Sequence, residues 1–498
     1  MRNKQVVFGA LLSYGAIAFN IISGLLYTPW MIHAIGDDQY ALYTLAMSVI
    51  NLFLLDFGIG SAVTKFLSGY YAKGEYDQAE RFISVVYRVF FIIAAVIACC
   101  LTAFYFLIDG IYIKLTADEL RVFKRLFVIV ATYSVLTFPF TTFNGILMAN
   151  EQFIAVKACN LLYRVTSVVL IVICLLAGSG VYALVLVHAF ANVLFMAVKY
   201  VVIRRKAKTK LSVGHWDGSI AKNVVGYSAG ITVISVAQRC IFNIMPSVIA
   251  ALIGTAEVTM FSLAATLEGY FYTFADAING MFMPRISRIL AQEDATDRLQ
   301  ELMGKVGRFH IGTMGLLYVG FICVGRAFVD KWMGPGYDII YWCALLLILP
   351  SLIDTPQQVA RTALLASDVV WQQSRIYAVM AVINLVLAVV LLPLLGVLGG
   401  AIAVCVAYLV RTLGFNILYR RALSLKMSVY FKTVYGRWLP TAVAAAALSM
   451  ALFHVLGLKG WSGLFISGTM VVVIYALFYL ALCLNKEERH SLYKRLRK

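Results

Sequence analysis

Charge is what this sequence has least of: Asp, Glu, Lys and Arg make up 13% of its 498 residues, against 62% hydrophobic ones. With a mean hydropathy of +0.86, the chain has too little polar surface to cover a soluble fold, so it reads as a polytopic membrane protein. The phosphate-cradling pattern G-x-x-x-x-G-K-[ST] is missing, which removes direct ATP hydrolysis. Also missing are H-E-x-x-H and G-x-S-x-G, and no stretch is long and polar enough to build a soluble catalytic domain, so the chain is not read as an enzyme. Cysteine is sparse and unpatterned. Cys99, Cys100, Cys174, Cys323 and Cys405 lie inside apolar runs without ligand-like spacing or histidine partners, so no disulfide framework, metal site or cofactor is expected. Acidic residues are in deficit too, 24 against 42 basic ones, giving a formal charge of +18. In a soluble chain that excess would suggest nucleic acid; in a membrane chain its position matters more, and no nucleic-acid partner is expected.

What is present is apolar runs, about fourteen of them at roughly 20 to 28 residues each. The first, Val7 to His33, exceeds a signal-peptide core and shows no small-residue cleavage pattern, so it is read as a retained helix. The second is placed at Tyr40 to Phe66, the fourth at Val122 to Met148, the seventh at Val224 to Leu252 and the tenth at Ile339 to Ala366. Lys and Arg are retained on the cytoplasmic side of a membrane, and roughly 29 of them fall on one side of this map against about 5 to 7 on the other. The rich side holds Arg2, Lys4, the run Arg204-Arg205-Lys206, Arg420-Arg421 and the tail Lys494 to Lys498, so both termini are expected in the cytoplasm. Anionic lipid headgroups would satisfy most of this charge.

The chain states one pattern twice. Y-T-P-W-M-I-H-A-I-G-D-D-Q-Y-A-L-Y-T-L from Tyr27 returns, roughly 218 residues on, as I-M-P-S-V-I-A-A-L-I-G-T-A-E-V-T-M-F-S-L from Ile244. Pro29 answers to Pro246, Ile35-Gly36 to Ile253-Gly254, the segment Ile146 to Glu151 to Ala363 to Asp368, and Arg204-Arg205 to Arg420-Arg421. The fold expected is therefore all-α, a polytopic membrane protein with about 14 transmembrane helices, as two parallel six-helix repeats plus a C-terminal hairpin. The halves are set at 1–206 and 224–421, joined by a basic cytoplasmic connector at 207–223 and followed by the hairpin at 422–484 and a basic cytoplasmic tail at 485–498. Parallel repeats are related by an axis along the membrane normal, with a cavity expected where they meet.

Ionisable residues inside such spans cost a few kcal/mol or more and normally face a cavity or a partner. Arg239 lies near the middle of the seventh span, with Ser235 and Asn243 on the same face. Glu268, Tyr272, Asp276 and Asn279 form a stripe on the eighth span; Asp354, Gln358 and Arg361 form another on the tenth; Asn20 lies with Ser13, Gly24 and Tyr27 on the first. A static pairing of Arg239 with Glu268 or Asp276 is the competing explanation. Arg88, Arg164 and Arg411 lie within about two turns of the basic end, where snorkelling accounts for each.

The segments Pro29 to Leu45, Leu54 to Ser68 (L-L-D-F-G-I-G-S-A-V-T-K-F-L-S) and Gly145 to Phe153 (G-I-L-M-A-N-E-Q-F), in this order and spacing, resemble the polysaccharide (oligosaccharide-lipid) flippases of the multidrug/oligosaccharidyl-lipid/polysaccharide exporter superfamily. Ala41 stands where that family commonly has Gly. The resemblance implies movement of an undecaprenyl-pyrophosphate-linked oligosaccharide to the outer leaflet by alternating access, with polysaccharide polymerase or glycosyltransferases as partners. Arg is a permanently charged planar fork suited to pyrophosphate. The substrate-binding set so implied is Arg239, Arg361, Asn243, Tyr272, Asn20 and Gln358, and Glu268, Asp276 and Asp354 would exchange a proton or sodium ion. A cation-coupled multidrug exporter, with acids dominating its cleft, is the alternative within transport. A membrane-embedded glycan polymerase or ligase is the alternative outside it, and would normally show a large external loop; none here exceeds roughly a dozen residues.

Overall fold

The computed structural model describes residues 2–54, 59–207, 243–279, 295–365, 369–457 and 460–483, with isolated positions between 209 and 289. Among the described residues every regular element is a helix and none is a strand. Hydrocarbon offers a backbone no hydrogen bonds, so each spanning segment must satisfy its own N–H and C=O groups. Eleven helices are long and apolar enough to cross a membrane, and the chain is a multi-pass membrane protein. The rest of the expected spans are the helices Asp37–Phe53 and Ile59–Lys73, which share the second, the eighth at Ala256–Asn279, and the seventh, of which the described part ends in Met245–Leu252. Tyr76–Ile111 has 36 residues and Ala295–Met333 has 39. At 1.5 Å per residue both exceed a hydrocarbon core of about 30 Å. Each begins on a polar stretch ahead of the apolar run that marked it in sequence, and that stretch extends the helix beyond the apolar layer.

Both copies of the repeated turn adopt a backbone that favours glycine: Gly36 has φ +87° and Gly254 φ +123°. An L side chain would be strained at either position. Just past each turn the first half is tied to the start of the second. Thr259 donates to the Asp37 carbonyl at 3.0 Å, and the Tyr112 and Ser247 hydroxyls meet at 2.6 Å. Glu119, which closes a capping box with Thr116 at the start of Ala117–Thr137, also accepts from Thr255 at 2.6 Å.

Among the described residues the second, fourth and tenth expected spans are interrupted. The second loses its helix at Leu54. The fourth runs as Ala117–Thr137, a 3₁₀ turn Phe138–Thr141 and Thr142–Ala149; the tenth as Asp338–Ile348, Ser351–Asp354, a 3₁₀ turn Thr355–Gln357 and Gln358–Leu365. In the last two the cause is proline: Pro139, Pro350 and Pro356 lack the N–H that an α-helix needs and crowd the preceding turn. Nearby hydroxyls take up carbonyls at the breaks. Thr141 donates to the Phe138 carbonyl at 2.7 Å, Thr142 to Pro139 at 2.9 Å and Thr355 to Ser351 at 2.6 Å.

The chain divides into two compact units, Met1–Ser262 with Ala388–Gly396, and Leu263–Leu387 with Val397–Lys498. In the first, Ile59–Lys73 lies against Thr142–Ala149 so closely that a Cβ on Gly145 would sit 2.9 Å from the Gly60 carbonyl oxygen. In the second, the C-terminal hairpin of Met427–Leu456 and Gly460–Phe478 packs along Ala295–Met333. Trp438 donates to the Tyr475 hydroxyl at 2.7 Å, and the Tyr479 hydroxyl donates to the Arg308 carbonyl at 2.6 Å.

Candidate functional site

Each unit places a polar site at its broken span. In the second unit the break carries Asp354, only 3% exposed. One of its carboxylate oxygens contacts Arg361 and the other lies 2.7 Å from Arg411 Nη2. Arg361 comes from the helical piece after the 3₁₀ turn, two turns beyond Asp354, and Arg411 from the separate helix Val397–Ala422. One carboxylate thus serves two guanidiniums, and the trio keeps an excess of one positive charge. Aromatic rings take the guanidinium faces. Arg411 sits 4.4 Å from the Tyr408 centroid and 5.8 Å from that of Tyr377, while Arg361 lies 5.9 Å from Phe415. The Nε atoms of both arginines are buried without a hydrogen-bond partner among the described residues, which leaves donor capacity for an anion. The Arg411 side chain is 4% exposed and that of Arg361 12%, so Arg361 is the more accessible of the two.

Neighbouring groups hold the break in place. The Tyr435 hydroxyl, from the hairpin, donates to the Leu352 carbonyl at 2.9 Å and lies 3.4 Å from the Ile353 carbonyl. Ser351 donates to the buried carboxylate of Glu268 at 3.2 Å. Tyr272, one turn on from Glu268, is 38% exposed and within electrostatic reach of Arg361, Arg411 and Asp354.

The structure therefore gathers Asp354, Arg361, Glu268 and Tyr272, with half-buried Gln358 on the same short helix as Arg361. It corrects the reading of Arg411, which is not a snorkelling side chain but a buried partner of Asp354. Asp276 is exposed at the far end of the Glu268 helix. Asn20 and Asn243 belong to the other unit. Asn20 is half-buried, and the Asn243 carbonyl accepts the Ser48 hydroxyl. Arg239, Ser235 and the Asn279 side chain lie outside the described residues.

The first unit carries an open cavity of about 660 Å³, a site that the ionisable stripes did not reveal. Its floor is the broken fourth span, through Ser134, Thr137, Thr141 and Asn144; Asn160, Tyr163, Asn192, Phe195 and Lys199 enter from the helices Phe153–Leu176 and Val181–Lys206. Among the described residues four asparagines line it, no carboxylate does, and Lys199 is the one charged lining residue. The Lys199 ammonium donates to Asn160 Oδ1 at 2.9 Å. A sequence signal for this site did exist. Ser134, Thr137, Pro139 and Asn144 precede Ser351, Asp354, Pro356 and Arg361 by 217 positions, the offset that separates Pro29 from Pro246. Proline-interrupted segments at corresponding positions of two halves point to binding sites in transporters.

Comparison with known proteins agrees with this architecture. Residues 35–341 match the family described as "Polysaccharide biosynthesis protein". An uncharacterized membrane protein of Bacillus subtilis (strain 168), EpsK, is 23% identical over 511 aligned positions, covering 97% of this chain and 96% of the relative. Among solved structures, the lipid II flippase MurJ in an inward closed conformation is similar with a TM-score of 0.66 at 12% identity, covering 98% of this chain and all of that one (100%). An inward-facing multidrug resistance MATE family transporter of the MOP superfamily is similar with a TM-score of 0.64 at 12% identity, covering 83% of this chain and 98% of that one. The chain belongs to the polysaccharide biosynthesis protein family, and its fold is similar to that of the MurJ and MATE structures.

Proposed function

We propose that the protein is a flippase that moves an undecaprenyl-pyrophosphate-linked oligosaccharide across the bacterial cytoplasmic membrane for surface polysaccharide synthesis, making and breaking no covalent bond. The observation that carries this reading is the trio Arg361–Asp354–Arg411, a buried site with one cation in excess. A pyrophosphate cannot enter hydrocarbon unshielded, and guanidinium donors bind its oxygens in pairs. Arg361, as the more accessible partner, takes the phosphate oxygens, and Arg411 keeps Asp354 neutralised meanwhile. Arg239 of the seventh span is a second candidate for the same work, and Tyr272, Gln358, Asn20 and Asn243 would contact the cargo in other states of the cycle. Alternating access then moves the head group while the lipid tail stays in the bilayer.

Coupling to a proton or sodium gradient is assigned to Glu268, whose carboxylate is met by a hydroxyl rather than a guanidinium. Asp354 is committed to two arginines and suits coupling less, and exposed Asp276 is the outer candidate on the Glu268 helix. An ion crossing the membrane supplies roughly 2.3 kcal/mol per charge per 100 mV, enough to bias a rocking equilibrium. By the distribution of Lys and Arg, both termini face the cytoplasm, where glycosyltransferases would assemble the cargo; a polymerase would receive it on the other side. A drug exporter of cationic cargo would need carboxylates free to meet its substrate, whereas none is among the described lining residues of the first-unit cavity and Asp354 is already held by two arginines. In cells deleted for the gene, the lipid-linked oligosaccharide should accumulate on the inner leaflet and surface polysaccharide should be lost. Unchanged surface polysaccharide in those cells would refute the reading.

A further inference from the structure

We propose that the cavity of the first unit is a glycan subsite, which binds a short sugar segment of the cargo through Asn144 and Asn192 and adds affinity, through Lys199, for a sugar that carries a carboxylate. This deepens the flippase reading and rests on it.

The lining chemistry decides the ligand class. A volume of about 660 Å³ falls within the roughly 300–1,000 Å³ of small-molecule sites. Its polar groups are amides and hydroxyls, which both donate and accept, as sugar hydroxyls do. No carboxylate is among the described lining residues, so none of them favours a cation. Asn144 and Asn192 line the cavity with no side-chain partner among the described residues, so their amides remain available. Tyr163 and Phe195, edge to face at 6.5 Å, supply aromatic surface for the apolar faces of sugar rings. Lys199 is held by Asn160 in the cavity wall, so its charge is already oriented.

The internal repeat gives the second argument. At one offset of 217 positions, Thr137 in the first half answers to Asp354 in the second, and Asn144 to Arg361, while Ser134 and Ser351 are unchanged. Duplicated positions at two proline breaks have thus diverged, one copy to neutral hydrogen-bonding groups and the other to charge. That is the division which a cargo with a polyhydroxyl part and a pyrophosphate part requires.

The test uses the full-length protein in nanodiscs and lipid-free short oligosaccharides, both neutral and uronate-bearing, as probes. Wild type should bind members of the set. Asn144→Ala with Asn192→Ala should weaken that binding by about 5- to 150-fold, as two lost neutral hydrogen bonds imply. Lys199→Gln should weaken binding of the uronate-bearing probes alone. A wild type that binds no probe, or an Asn144/Asn192 double variant that binds as wild type does, overturns the assignment. Because these amides have no internal partner, their removal leaves no group unsatisfied. Should the double variant nevertheless misfold, Asn144→Cys gives the second measurement: its maleimide labelling should slow when a bound probe is added, and labelling indifferent to probe overturns the proposal. Vesicle transport of lipid-linked oligosaccharide is measured alongside. Transport with sugar binding that ignores the cavity variants defeats the subsite alone, and cavity-dependent binding without transport defeats the flippase reading alone.

Discussion

Replacing Asp354 by Asn should destabilise the protein more than any other single change in its buried charge cluster. The substitution keeps the shape of the side chain and removes the one negative charge between Arg361 and Arg411. Leaving one buried charge without its partner costs about 3–5 kcal/mol. Here two are left, and guanidiniums on opposite sides of one carboxylate, on the order of 6 Å apart, repel by about 3 kcal/mol at an effective dielectric of 20. Arg411→Gln is milder, because it leaves Arg361 and Asp354 as a neutral pair and removes one charged hydrogen bond, about 1.5–3 kcal/mol. Arg411→Gln placed on top of Asp354→Asn should therefore restore stability, since it removes one of the two stranded cations. Thermal unfolding of the purified variants in one detergent, with reversible unfolding where it can be reached, ranks them. If Asp354→Asn is no worse than Arg411→Gln, or the double variant is less stable than Asp354→Asn alone, the shared carboxylate does not hold the cluster together.

Glu268→Gln should insert and fold but lose the dependence of transport on an imposed proton or sodium gradient; transport with unaltered gradient dependence would make this carboxyl structural. Tyr435→Phe deletes the hydroxyl that holds the Leu352 carbonyl and should cost about 0.5–1.5 kcal/mol in the same unfolding assay, together with slower transport. Wild-type stability and rate would show that the hairpin does not brace the break. A cysteine at Ser212, in the basic connector, should resist an impermeant thiol reagent applied to intact cells, and labelling there would invert the topology.

Much of the architecture was legible because lipid leaves few solutions: apolar runs of spanning length become helices. Asp354 and Arg361 could be matched from spacing alone, as both sit on one short stretch at i and i+7. Arg411 could not. Its partner is 57 residues earlier in sequence, and hydropathy places this arginine near a basic helix end, so only packing of Val397–Ala422 against the broken span shows the pair. The breaks themselves were hidden by apolar residues that continue through them, although Pro139, Pro350 and Pro356 marked their positions. Asn144 escaped notice for a different reason. It is a neutral amide, which the cost of buried charge does not single out, and Lys199 lies five residues before the basic run Arg204-Arg205-Lys206.

The central claim is that Arg361 grips the anionic head group of a lipid-linked oligosaccharide during its passage, and the direct test is translocation in reconstituted vesicles. The substrate is a fluorescent undecaprenyl-pyrophosphate oligosaccharide, and what is read is its arrival in the opposite leaflet, with the amount of folded protein as control. Wild type should move it, Arg361→Lys should move it slowly because the charge remains but the paired donors are gone, and Arg361→Ala should not move it at all. Translocation by Arg361→Ala at the wild-type rate would contradict the account.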